Sequence, residues 1–185
     1  GSLLLAGADG EVRRTDALGE TDTSGSGGSG NEAEKLVCSP DEAGTSYTSL
    51  CVSDDGKTVF LGETSGNVTR HTYEGDGSAF TFESIATRFT LQAWHVSCNA
   101  DGTLLAACGP GPELRVVHVP SNSCARVAGL KADVKAVALT RAGDLLATVD
   151  CDGTVKVYEV VRGQGGKVTG VKSVHLAMNR LSRDR

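Results

Sequence analysis

Four histidines, six cysteines and a set of basic side chains toward the C-terminus are the residues with which this 185-residue chain could do chemistry. Nucleophilic catalysis needs a nucleophile, a base and an orienting acid that converge in space. His71, His95, His118 and His175 fall at different phases of the chain and form no recognisable constellation, so no enzymatic activity is expected. Cys38, Cys51, Cys98, Cys108, Cys124 and Cys151 include no C-x-x-C pair, which removes the usual spacing of a structural zinc site. Most of them lie among strand-forming residues, where cysteine acts as a small apolar side chain. They are read as reduced, and the compartment as intracellular. Gly25, Gly27, Gly28 and Gly30 resemble a phosphate-binding loop only superficially, because no strand leads in and no helix leads out. No cofactor, metal or small-molecule substrate is expected.

Lys131, Lys135, Lys156, Arg162, Lys167 and Lys172 form the most basic portion, and Arg180, Arg183 and Arg185 extend it. Such a stripe could follow a nucleic-acid backbone with salt-sensitive affinity, and Lys156, Arg162 and Lys172 are its candidate contacts. The formal net charge of -5 argues against a surface built mainly to neutralise phosphates, and solvated surface is the plainer reading. Trp94 is a candidate partner anchor, since Trp is enriched at interaction hot spots, although its apolar surroundings also suit a packed core. Asn67-Val68-Thr69 matches the N-glycosylation pattern, read as chance without a secretory leader. No apolar run approaches the roughly 18 residues of a membrane span, so no membrane partner is expected.

The elements that must carry these residues are announced by a repeated phrase. A tight turn and a short apolar strand recur as Ser53-Asp54-Asp55-Gly56-Lys57-Thr58-Val59-Phe60-Leu61-Gly62, as Asn99-Ala100-Asp101-Gly102-Thr103-Leu104-Leu105-Ala106-Ala107, and as Thr140-Arg141-Ala142-Gly143-Asp144-Leu145-Leu146-Ala147-Thr148. From Gly56 to Gly102 is 46 positions and from Gly102 to Gly143 is 41, the length of one four-stranded propeller blade. A second turn follows in each copy, at Gly66, Gly111 and Gly153, and then a run of alternating residues. Alternation places one set of side chains on each face of a pleated strand. The turn residues Asp55, Gly56, Asp101, Gly102, Asp152 and Gly153 supply the chemistry and the positive φ that tight hairpins need. Each copy is an antiparallel meander too small to bury its own faces, so it must stack on a neighbour.

The expected fold is all-β, a β-propeller of about three full blades with partial ones beside them, and the chain is read as a fragment of a larger ring. Residues 1–17 form a partial blade. Residues 18–45 are a flexible Gly/Ser-rich acidic insertion. Blades follow at 46–79, 80–122 and 123–163, and residues 164–185 start another blade or form a tail, with Val171 to Met178 as its first strand. The borders are taken from polar turn compositions at Glu74 to Ser78, Pro120 to Ser123 and Gly163 to Gly166. His71 and His118 are placed at equivalent strand ends.

Cys151-Asp152-Gly153-Thr154-Val155-Lys156-Val157-Tyr158-Glu159 resembles a WD repeat, with Tyr158 and Glu159 where that family has Trp and Asp. Gly129-Leu130 stands where the family has Gly-His, so the buried polar network of that family cannot be complete in this blade, and Asp152 is expected to take the NH groups of the turn. Thr87-Arg88-Phe89-Thr90, with Trp94-His95-Val96 and the strands after it, is similar to the N-terminal WD-repeat propeller of the acidic nucleoplasmic DNA-binding protein family, also called the chromosome transmission fidelity replication adaptors. The resemblance implies a nuclear hub that links the replicative helicase to polymerase alpha-primase. The family's helicase and polymerase contacts, and its trimerisation, belong to a later region and are not carried onto this chain. What carries over is a non-enzymatic platform for replisome or chromatin proteins, with DNA as a further partner. The alternatives are a WD-repeat subunit of a ubiquitin ligase or trafficking complex, or a weak nucleic-acid-binding module.

Overall fold

The computed structural model describes residues 2–6, 12–16, 35–36, 45–73 and 80–174. Its strands are β1 (Ser2–Ala6), β2 (Val12–Asp16), β3 (Lys35–Leu36), β4 (Tyr47–Val52), β5 (Thr58–Glu63), β6 (Asn67–Thr72), β7 (Thr81–Arg88), β8 (His95–Cys98), β9 (Leu104–Gly109), β10 (Glu113–His118), β11 (Ser123–Arg126), β12 (Val134–Leu139), β13 (Leu145–Asp150), β14 (Val155–Arg162) and β15 (Val168–Val174). They form four antiparallel sheets in chain order, one of three strands (β1–β3) and three of four (β4–β7, β8–β11, β12–β15). The first strands β4, β8 and β12 lie against one another, and so do the last strands β11 and β15. Each sheet therefore stacks on the next as a propeller blade, with its first strand innermost; we number the blades one to four.

Stacking decides which strands alternate. β9 sits between two neighbours, and all six of its residues are buried. Leu105 and Ala107 face the core shared with blade two, where they meet Phe60, Val68, Ala86 and Phe89. Leu104, Ala106 and Cys108 face the core shared with blade four, where they meet Val137, Leu146, Tyr158 and Val160. A strand buried on both faces reads as a continuous apolar run. In β13, Leu146 and Thr148 are buried while Leu145 and Val149 are exposed, so that strand alternates.

The four-stranded sheets divide the chain elsewhere than at the expected borders of 79/80 and 122/123. Thr81–Arg88 pairs with β6, Ser123–Arg126 with β10 and Val168–Val174 with β14. Pro120 to Ser123 and Gly163 to Gly166 are hairpins joining the third strand of a blade to its fourth, and in all three sheets the fourth strand returns along the same sheet instead of beginning the next. Val119–Ser121 and Gln164–Gly166 form single 3-10 turns inside these hairpins. Val171 to Val174 thus ends blade four, while His175 to Met178 lie outside the described residues. Within the expected insertion, Lys35–Leu36 forms β3 against β2. The Gly/Ser stretch from Gly19 to Glu32, the polar residues Glu74 to Ser78, Cys38 and the arginines Arg180, Arg183 and Arg185 also lie outside the described residues.

The turn between the first and second strands repeats its hydrogen-bond pattern in three blades. Its first residue, Ser53, Asn99 or Thr140, accepts a side-chain hydrogen bond from the N–H five positions on, at 3.0, 2.8 and 3.2 Å. Its fourth is a glycine at φ 71°, 67° or 70°, whose N–H donates back to the first carbonyl. A carboxylate braces each copy. Asp55 accepts the Ser53 hydroxyl at 2.6 Å and the Lys57 N–H at 3.0 Å. Asp101 accepts the Thr103 hydroxyl and N–H at 2.6 and 2.9 Å. In blade four the carboxylate has moved two positions along, to Asp144, which accepts the Thr140 hydroxyl and the Leu145 N–H. The hydroxyl of Ser53, Thr103 or Thr140 holds its partner's carboxyl below the usual range.

These turns are also linked to one another. Asp54 N–H donates to the Ala100 carbonyl at 2.8 Å, and Ala100 N–H donates to the Arg141 carbonyl at 2.9 Å. Arg141 and Asp54 form an ion pair that spans from blade four to blade two. Blades two, three and four are joined along this rim by backbone hydrogen bonds at equivalent positions.

Candidate partner-binding rim

The opposite rim carries the turns between second and third strands and the crossovers between blades. The crossover from blade two to blade three contains Thr87-Arg88-Phe89-Thr90. Phe89 is 3% exposed in the seam between the blades. The Arg115 guanidinium lies 4.7 Å above its ring, held there by Glu113 and by donation to the Thr87 hydroxyl at 3.1 Å and the Arg88 carbonyl. Arg88 Nε donates to Asn67 Oδ1 at 2.6 Å, and Phe89 N–H to the Gly66 carbonyl at 2.8 Å. The segment most specific in the sequence is a wedge between two blades, which explains why its side chains are so particular.

Beyond the wedge the chain emerges at Leu91, which is 60% exposed. Two grooves flank it, sharing Thr90, Leu91 and Pro110. One of about 510 Å³ also has Pro112, Glu113 and Arg126 in its walls. The other, of about 500 Å³, also has Thr64, Ser65, Gln92 and Trp94. Trp94 is partly buried against the core between blades three and four, and Lys135 Nζ sits 3.6 Å from its ring centroid. The two readings of Trp94 are both physical, since one part of it packs in the core and another lines a groove.

The basic candidates are not gathered into one stripe among the described residues. Lys156 is on β14 opposite Thr148. Arg162, at the other end of β14, donates to the Ala142 carbonyl of its own blade's turn at 2.5 Å. Lys172 is on the outer strand, paired across the sheet with Glu159. The turn candidates divide between the two rims, with Asp55, Gly56, Asp101 and Gly102 on the linked rim and Asp152 and Gly153 on this one.

Within this rim Asp150, not Asp152, receives the turn. Asp150 Oδ1 accepts the N–H groups of Asp152 and Thr154 at 3.2 and 2.8 Å, while the Asp152 carboxylate accepts only a 3.8 Å contact from the Cys151 thiol. The carboxylate at the strand end is the one placed to close the loop over Cys151 and Asp152. Asp150→Ala is expected to cost about 1.5–3 kcal/mol, the range for hydrogen bonds to a charged group. Asp152→Ala should stay within about 0.5 kcal/mol. Urea unfolding of the two variants compares them, and an equal loss would contradict the assignment.

Register shows what became of the buried polar network. In blade four Tyr158 has the Thr148 hydroxyl and the Asp150 carboxylate near its own hydroxyl. Burial raises the Tyr158 hydroxyl pKa, partly offset by Thr148. Blade two holds a different set: Glu63, 1% exposed, accepts from the hydroxyls of Ser65 at 2.7 Å and Thr69 at 3.3 Å, and His71 Nε2 meets Thr69 at 3.0 Å. At the matching positions blade three has Gly109, Ala107 and Val117. None of these three side chains can take part in such a network.

His71 and His118 are not equivalent. His71 pairs with Val59 and His118 with Leu104, one residue further along the repeat, and one residue turns a strand side chain to the other face. His71 meets Phe82 edge-on at 5.7 Å, whereas His118 Nδ1 bonds the Ser121 hydroxyl at 2.7 Å. His95, on β8, has its pKa lowered by burial. Among the described residues no three His, Cys, Asp or Glu side chains are grouped to hold a metal ion, and no helix is long and apolar enough to cross a membrane.

Residues 10–183 match the family described as the lipoprotein LpqB beta-propeller domain. The chain belongs to this β-propeller family. It is also similar to WD repeat and HMG-box DNA-binding protein 1, with 29% identity over 160 residues of the Homo sapiens protein, 29% over 164 of the Mus musculus protein and 27% over 159 of the Xenopus laevis protein. Each alignment covers 85% of this chain and 12% of the relative. The propeller thus spans about an eighth of the length of these relatives, whose family is the one the Thr-Arg-Phe-Thr segment resembles.

Proposed function

We propose that this chain is a non-enzymatic protein-interaction propeller belonging to a nuclear DNA-replication adaptor of the kind that links the replicative helicase to polymerase alpha-primase. The observation that carries the interaction role is Leu91, a large apolar side chain standing in water between two grooves on a rigid rim. A partner segment with an apolar anchor would fill a groove, and a carboxylate on it would meet Arg126. The nuclear and replication setting is supported by the similarity to proteins named for WD repeats and an HMG box. A DNA role would rest on the basic side chains of blade four, whose positions do not converge.

The test is affinity purification of the full-length parent from replicating cells, read by mass spectrometry, in wild-type and Leu91→Asp forms. Replicative helicase and polymerase alpha-primase subunits are expected with the wild type. Leu91→Asp should deplete at least one partner about tenfold or more, the scale of a lost hot spot. Because Leu91 is exposed, the melting temperature should stay unchanged. Recovery of a ubiquitin-ligase or trafficking complex instead would refute the replication assignment, and an unaltered partner set would refute the rim.

A further inference from the structure

We propose that Cys51 and Cys98 are an oxidation site, a dithiol that closes to a disulfide between blades two and three when a hydroperoxide reaches it. Cys51 is on β4 and Cys98 on β8, the innermost strands of neighbouring blades, which pack against each other. Both side chains abut the same interblade core, and both are partly exposed free thiols. Two or three residues further on, the Asp54 N–H to Ala100 carbonyl bond of 2.8 Å pins the strand ends together. Gly102 sits so near Ser53 that a Cβ on it would lie 3.4 Å from the Ser53 Cβ. The blades are held at this seam whatever the state of the sulfurs.

The two thiols are not alike. The interaction of each thiol with the other lowers the pKa of Cys98 and raises that of Cys51, with burial adding to the rise at Cys51. The carboxylates of Asp54 and Asp101 oppose the Cys98 thiolate without reversing the direction. A thiolate is the attacking species, so Cys98 reacts first and Cys51 resolves. The Cys98 thiolate attacks the peroxide O–O bond and takes one oxygen as sulfenic acid, while the other leaves as hydroxide and picks up a proton. The Cys51 sulfur then attacks the sulfenic sulfur; the S–S bond forms, the S–O bond breaks, and water leaves with the Cys51 proton. Two thiols and one hydroperoxide give one disulfide and, for hydrogen peroxide, two waters. Buried Cys108 contrasts with this pair, its pKa pushed up to about 12 by burial. Cys124 and Cys151 are exposed, and neither is placed against a second thiol among the described residues.

The experiment treats the full purified chain with stoichiometric hydrogen peroxide, blocks remaining thiols with N-ethylmaleimide and maps unreduced peptides by mass spectrometry. The expected product is a Cys51–Cys98 linked pair, two hydrogens lighter than its parts and reversed by dithiothreitol, with a melting temperature raised by roughly 5–10 °C. Cys51→Ser should leave Cys98 as a sulfenic acid that dimedone traps, and Cys98→Ser should leave Cys51 as a free thiol. Recovery of Cys51 and Cys98 as blocked thiols while Cys124 or Cys151 oxidises would overturn the proposal, as would linkage of either to another cysteine. The wild-type map decides this even where a serine variant fails to fold.

Discussion

Phe89→Ala is expected to cost about 3–5 kcal/mol of folding stability, the range for removing a buried aromatic ring. Phe89 fills the seam between blades two and three, in one buried cluster with Phe60, Val68, Ala93 and Leu105. Its loss also removes the surface under the Arg115 guanidinium, whose bonds to the Thr87 hydroxyl and the Arg88 carbonyl hold the crossover down. Urea denaturation followed by intrinsic fluorescence reads the effect. Phe82→Ala is the control, because Phe82 is 44% exposed on β7 and should cost much less. Were the two losses equal, the crossover would not be the wedge described.

Gly66→Ala is expected to cost about 3 kcal/mol or more, and Gly111→Ala about 1–2 kcal/mol. Both glycines occupy the turn between second and third strands at positive φ, 90° and 83°. A Cβ at Gly111 meets nothing within 4 Å, so only the backbone penalty applies. At Gly66 it would lie 2.1 Å from the Leu91 carbonyl oxygen and 2.4 Å from that of Phe89. Those atoms belong to the main chain and cannot swing aside, and moving them breaks the Phe89 N–H bond to Gly66. Thermal unfolding of the two variants separates conformational strain from the interblade clash. Equal melting temperatures would show that the crossover yields at no cost.

Much of this architecture was legible in the spacing of turns. The glycines at 56, 102 and 143 gave the period, and the alternating runs after Gly66, Gly111 and Gly153 are third strands. The blade borders were not legible, because a polar hairpin inside a sheet and a polar crossover between sheets have the same composition. Only pairing separates them, and pairing is a property of the folded chain. Asp152 misled for a related reason: Asp150 and Asp152 flank the same turn, and which of them faces the free N–H groups depends on the backbone path. The meeting of Leu91, Pro110 and Trp94 on one rim could not be seen either, since Pro110 reaches the others through a hairpin of another part of the blade. The exchange of network members between blades was within reach of counting, because Glu63 and Asp150 stand at the same distance from the first residue of their turns, Ser53 and Thr140.

The linked turns have a sense of direction, each N–H passing its hydrogen bond to the carbonyl of the blade that follows. A blade added to or removed from such a row must therefore bring one donor and one acceptor at the same place, or the run of bonds is broken at that step. Because the turn lies between the first and second strands of its sheet, gene duplication or deliberate grafting that cuts at the sheet borders carries the whole turn, with its donor and acceptor, along with the blade. Ser53, Asn99 and Thr140 show that the first side chain of the turn can vary within that rule, provided it still accepts.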